Sequence, residues 1–233
     1  MNRYPLIALL LASLAGAAAA QTPISALAAE DFETRQAATD ALLRDETLTP
    51  DDLAGLAARA EHLETRLRLW AVARHHTLRA LREARFPAEP GGRGSIGIVQ
   101  SVEPVTPEPA DGPRSFALVN RVLPGLPANG RLRPHDRITA VGGEPLLGPP
   151  AGQRFEQLMR QTRAGQELTF TVQRGDQTLD VTLTLAAAEA LPAMYAFPDF
   201  GLTPEYAAAW DELAAERYPD LRAAAAIGAA LNK

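Results

Sequence analysis

Residues 94–102 read GSIGIVQSV, residues 116–146 read FALVNRVLPGLPANGRLRPHDRITAVGGEPL, and residues 154–185 read RFEQLMRQTRAGQELTFTVQRGDQTLDVTLTL. Short runs rich in Val, Ile, Thr and Phe, punctuated by glycine and proline, give strands. Between them one helix is expected to begin near Gly152, placing Phe155, Leu158, Met159 and Thr162 at i, i+3, i+4 and i+7. Arg174-Gly175-Asp176 spells an adhesion tripeptide, but it falls where two strands need a tight turn, and Gly-Asp suits such a turn. The turn is the preferred reading, since tripeptides recur by chance.

In this order and spacing the stretch resembles a PDZ domain of the bacterial kind that follows the catalytic domain in HtrA-type proteases. VLPGLPANGRL (122–132) looks like the family's Val-x-x-Pro-Gly segment, and DRITAVGGEPL (136–146) like its Leu-Asp-Ile-Gly strand. The family usually carries glycine just before that aspartate, whereas Pro134 and His135 precede Asp136 here. The resemblance implies a five- to six-stranded, partly open β-barrel with a groove helix, and a groove that takes a peptide as an added strand. It makes Ser95, Ile96, Gly97 and Ile98 the carboxylate-binding loop, with Gly97 allowing close backbone approach and Ile96 and Ile98 lining an apolar pocket. Val99 and Gln100 would begin the pairing edge, and Phe155 and Met159 would stand on the opposite wall. Leu158 and Thr162 read as the face a helix buries against its own sheet. Met159 lies at the edge of that stripe, where its flexible thioether suits a variable pocket.

Outside residues 94–187 the pattern is helical. Met1–Ala20 carries one basic residue, Arg3, then an apolar run and small residues, the order of a secretory signal peptide cut after Ala20. That run is too short to span a bilayer comfortably, so an exported protein without a membrane span is expected, periplasmic or secreted. Residues 21–86 read as helices. Phe32, Ala38, Leu42 and Leu43 form one stripe; Thr49 is an N-cap with Pro50 behind it; Leu67, Leu69, Trp70 and Ala73 begin a third run toward Phe86. DFETRQAAT and ETRLRLWAVAR resemble HEAT-repeat helices. Proline and glycine over 87–93 mark a linker. Residues 188–233 form an aromatic and helical tail, with Tyr206, Trp210 and Leu213 on one face that must pack on the rest of the chain or on a second copy. The fold class is therefore α+β and multidomain.

Composition and motifs bear on function. Net charge is -5, which gives no invitation to nucleic acid, and with no cysteine the chain has neither disulfides nor thiolate metal sites. Serine occurs at positions 13, 25, 95, 101 and 115, never in a nucleophile elbow, so no catalytic residue is assigned. His75 and His76 are adjacent, point about 100° apart on a helix and cannot share a metal as an i, i+4 pair does. A solvated or partly packed helix end is expected for them, and no cofactor or metal is implied. Arginines crowd residues 59–93 while acids dominate the tail, which fits either docking of one on the other or two independently solvated faces. The expected function is non-catalytic capture of C-termini or extended segments of envelope proteins. An accessory subunit of a separate protease, and a structural or oligomerising protein with a vestigial groove, are the alternatives.

Overall fold

The structure is a computed structural model and describes residues 23–89, 91–103, 116–146 and 151–231. The expected signal peptide over Met1–Ala20 and the proline-rich stretch from Pro104 to Pro113 lie outside the described residues, as do Asn232 and Lys233. The chain opens with α1 (Pro23–Leu27), α2 (Phe32–Arg44), α3 (Pro50–Arg59) and α4 (Leu63–Arg85). Local chemistry sets the starts. Asp31 Oδ1 accepts the Thr34 N–H at 2.7 Å ahead of α2. At α3 the expected cap is a full capping box, Thr49 Oγ1 accepting the Asp52 N–H at 3.1 Å and the Asp52 carboxylate accepting the Thr49 N–H at 3.0 Å.

The middle of the chain is a sheet domain. Its elements are β1 (Gly94–Ser95), β2 (Ile98–Glu103), β3 (Phe116–Val122), β4 (Arg137–Val141), β5 (Glu144–Pro145), α5 (Ala151–Arg160), β6 (Glu167–Arg174), β7 (Gln177–Thr184) and β8 (Ala186–Ala187). The strands run in the order β2-β3-β4-β6-β7, each antiparallel to its neighbours, with β5 on β4. Gly175 and Asp176 turn β6 into β7 as expected, Arg174 pairing with Gln177. β1 pairs with β8, so the two ends of the domain meet. α5 lies over a core of Ile96, Val119, Ile138, Phe170, Val172 and Leu183, to which it adds Phe155 and Leu158.

The turn ahead of β4 forms with a histidine in its left-handed position. His135 takes φ 72, the left-handed region glycine favours, and its N–H donates to Val119 O at 2.7 Å. Asp136, 1% exposed, accepts the Arg133 N–H at 2.8 Å and both Arg174 Nε and Nη2 at 2.8 Å. A buried carboxylate with three donors is held, and it ties the β6–β7 turn to β4.

After the sheet come α6 (Ala190–Met194), a small hairpin of β9 (Tyr195–Ala196) and β10 (Gly201–Leu202), then α7 (Pro204–Arg217) and α8 (Pro219–Leu231). The last two helices join the first four. Trp210, Ala214, Tyr218 and Leu221 share one core with Leu27, Leu53, Leu69 and Val72, and the Trp210 and Trp70 ring centroids lie 4.6 Å apart. Of the charge bias read from the sequence, one contact within the molecule is seen, Arg85 with Glu205; Arg217 of the tail pairs the other way round, with Asp51 at 3.1 Å.

α4 presses this helical layer onto the 123–133 loop of the sheet domain. A Cβ on Gly125 would sit 2.6 Å from Leu78 Cβ, so only glycine allows the approach. The Gly125 N–H donates to His75 Nδ1 at 2.9 Å and its carbonyl accepts from Arg82 Nη1 at 2.7 Å. Arg44 reaches Gly130 O at 2.8 Å, and Arg133 pairs with Asp40 at 2.6 Å. This corrects the expectation for the histidines: both are buried within α4, His76 Nε2 bonding Leu42 O at 2.9 Å. Burial, then the neighbouring His76, Arg79 and Arg82, pushes the His75 pKa down to about 3. A backbone N–H can only donate, so Nδ1 is the acceptor and the ring is neutral.

Candidate peptide-binding groove

Two open groups meet where β1 passes into β2. Among the described residues β2 pairs only with β3, which leaves its other edge free beside α5. At the corner, Ile96 O accepts the Ala128 N–H and Gly97 O accepts the Leu123 N–H, both at 2.9 Å. The carbonyls are thereby committed to the loop beneath. Among the described residues no acceptor meets the N–H of Ile96 or Gly97. Gly97 takes φ 76, and adjacent N–H groups at a bend of this kind form an anion-binding concavity.

The structure sorts the residues named from sequence. Ser95, Phe155 and Met159 line one cavity of about 590 Å³, together with Gly94. Ile98 and Met159 are half-buried against the sheet core, on the same side as α5. Ile96 is 3% exposed and belongs to that core, and neither it nor Ile98 is among the residues lining the cavity, which corrects their expected place as its walls. Gly97 is also buried, and a Cβ there would overlap the Leu126 side chain. The close approach that requires glycine is therefore already made inside the protein. Val99 points the other way, into a cluster with Leu78, Leu123, Leu126 and Tyr195, and offers the groove only its backbone. Gln100 follows a register shift in the β2–β3 ladder, and its Oε1 is buried without a partner among the described residues. Leu158 is core as read, but Thr162 lies past the end of α5 and not on its buried face, its Oγ1 donating to Met159 O at 2.7 Å.

One wall was not read from the sequence. Leu191, Pro192 and Phe197, beyond the sheet domain, line the same cavity as Phe155 and Met159. The available signal was the aromatic run Tyr195 to Phe200, whose density exceeds what a linker needs. The rim carries Arg93 and Arg160 against Glu156 and Glu189, and the exposed Arg160–Glu156 pair at 3.2 Å contributes little. Positive and negative side chains balance, so attraction for an anion falls to the backbone N–H groups. Among the described residues no three or more His, Asp or Glu side chains gather as a metal ion would require, and no helix is long and apolar enough to cross a membrane.

An antiparallel sheet with an open edge strand, a helix along that edge and a glycine corner between them define the class of domain. Residues 94–185 match the family model of the PDZ domain, and the chain carries a PDZ domain over that stretch. Among solved structures, the HtrA-type protease AlgW with a decapeptide is 27% identical, with 41% of this chain and 30% of that chain covered and a TM-score of 0.33. A variant of AlgW solved with a tripeptide is 26% identical, with 46% and 36% covered and a TM-score of 0.34. The chain thus spans about a third of the length of those proteases. No curated protein matches it.

Proposed function

We propose that this protein is an exported, non-catalytic adaptor whose PDZ domain captures free C-termini or extended segments of envelope proteins. The observation that carries the reading is that, among the described residues, the outer β2 edge has no strand partner and the N–H groups of Ile96 and Gly97 meet no acceptor. An incoming strand completes the ladder, its carboxylate takes the N–H groups, and its last side chain leaves water against Phe155 and Met159. Backbone bonds supply affinity and the cavity supplies selectivity. A short peptide loses much freedom for a small contact, so binding is expected in the micromolar range. Export is supported by the charged, apolar and small-residue order of Met1–Ala20. The non-catalytic reading is supported by the lack of any serine in a nucleophile motif.

Fluorescence polarisation against a library of free-acid C-terminal peptides, with amidated controls, tests the binding. Selective binding of free acids with apolar last residues is expected. Equal binding of amidated peptides rejects carboxylate capture, and no binding by any peptide rejects the adaptor reading.

A further inference from the structure

We infer that the tail hairpin is part of the ligand site: Phe197, backed by Leu191 and Pro192, forms the outer wall of the pocket for the ligand's last side chain and selects a large apolar residue there. This rests on the peptide-binding reading above. The carrying observation is an unexplained exposure. Phe197 is 73% exposed in the turn of the hairpin, whereas the large apolar residues that follow it, Phe200 and Leu202, are partly buried against the cluster of Leu78 and Tyr206. A phenylalanine left in water gives up most of the favourable transfer of its ring, so burial does not account for its position.

The hairpin is held in place. Arg121 Nη1 on β3 donates to Asp199 O at 2.7 Å, Tyr195 OH donates to Pro124 O, and Thr203 Oγ1 donates to Ala193 O at 2.9 Å. The Phe200 N–H closes the turn onto Ala196 O at 2.8 Å, and the Phe200 ring braces that of Phe197 with centroids 4.4 Å apart. A braced, solvent-facing ring thus lines the same cavity as Phe155, Met159 and Ser95, the residue just before the Ile96–Gly97 corner where the carboxylate would dock. At about 590 Å³ with two aromatic walls, the cavity has room for a Phe or Leu side chain, and an Ala or Val side chain would leave much of the lining wet. The occupant we assign is therefore a free C-terminus ending in a large apolar residue. A PDZ domain cut at Leu185 would lack this wall.

The test uses the full chain and two labelled free-acid decapeptides that differ only in the last residue, Phe or Ala. Phe197→Ala should weaken the Phe-ended peptide about tenfold, leave the Ala-ended one within about twofold, and leave the melting temperature unchanged, since the ring is exposed. Phe197→Leu should restore most of the loss. Equal affinities of parent and Phe197→Ala for the Phe-ended peptide overturn the inference while leaving the groove reading intact. A change in oligomeric state with unaltered peptide affinity also overturns it, assigning Phe197 to contact between copies. Failure of the parent to bind either peptide overturns both readings.

Discussion

The N–H of Gly125, in the loop of the PDZ domain, donates to Nδ1 of His75, in the middle of α4, at 2.9 Å. Asn129 Nδ2 lies 3.0 Å from the same nitrogen, so one imidazole lone pair serves two groups of the neighbouring domain. The bond exists only while His75 is neutral. Protonation would set a charged N–H against two donors, with Arg79 and Arg82 nearby.

This gives stability a definite pH dependence. An unfolded histidine takes up its proton near pH 6.5, whereas folded His75 resists until about pH 3. Between those values the unfolded chain holds the extra proton, so stability is full above pH 6.5 and is lost as pH falls, by up to about 1.4 kcal/mol per pH unit. His76, whose pKa burial also lowers, acts in the same direction. Urea titrations from pH 7 to pH 4 should show the loss. His75→Gln keeps an acceptor for Gly125 and removes one titration, so its slope should be shallower; an identical slope would count against the assignment.

Asp136 should be among the most sensitive side chains of the PDZ domain. It is buried with both oxygens engaged by Arg174, so Asp136→Asn leaves a guanidinium facing a neutral amide. A loss of about 3 kcal/mol is expected in chemical denaturation. A variant within about 0.5 kcal/mol of the parent would show the pair to be ornamental.

Trp210→Ala should remove about 3–5 kcal/mol, because the ring is 4% exposed and packs on Trp70 across the two ends of the chain. Calorimetry measures this. An unchanged transition would mean that α7 and α8 are not part of the folded helical layer.

Gly97 is a structural residue before it is a ligand contact. Gly97→Ala combines a left-handed φ with overlap onto Leu126, and a loss of at least about 1–2 kcal/mol is expected from the backbone conformation alone. Met159→Ala is the cleaner probe of the groove: Met159 lines the cavity and is only half-buried, so peptide affinity should fall while thermal melting moves little. A large drop in melting temperature would return Met159 to the core.

What the sequence disclosed followed how local the cause was. The Thr49 cap, the Gly175-Asp176 turn and the stripe on α5 depend on residues a few positions apart, and all were legible. The turn at His135 was half legible: the aspartate marked its place, but only the Asp136–Arg174 bonds show why a non-glycine residue is held there at φ 72. His75 and Trp210 needed partners from distant chain, Gly125 and Trp70, and no periodicity announces those. In the groove, residue type was readable but orientation was not. Val99 and Ile98 are both apolar neighbours on one strand, and only the packing assigns Ile98 to the sheet core and Val99 to the helical layer. Phe197 escaped because its role depends on where a hairpin outside the domain comes to rest.

The central claim is that the N–H groups of Ile96 and Gly97 receive a ligand carboxylate. It is tested most directly by following their amide resonances in ¹⁵N-labelled protein during titration with one apolar-ended decapeptide, first as the free acid and then as the amide. Both resonances should shift saturably with the free acid and hardly move with the amide. Equal shifts with both forms, or no shift at millimolar peptide, would contradict it.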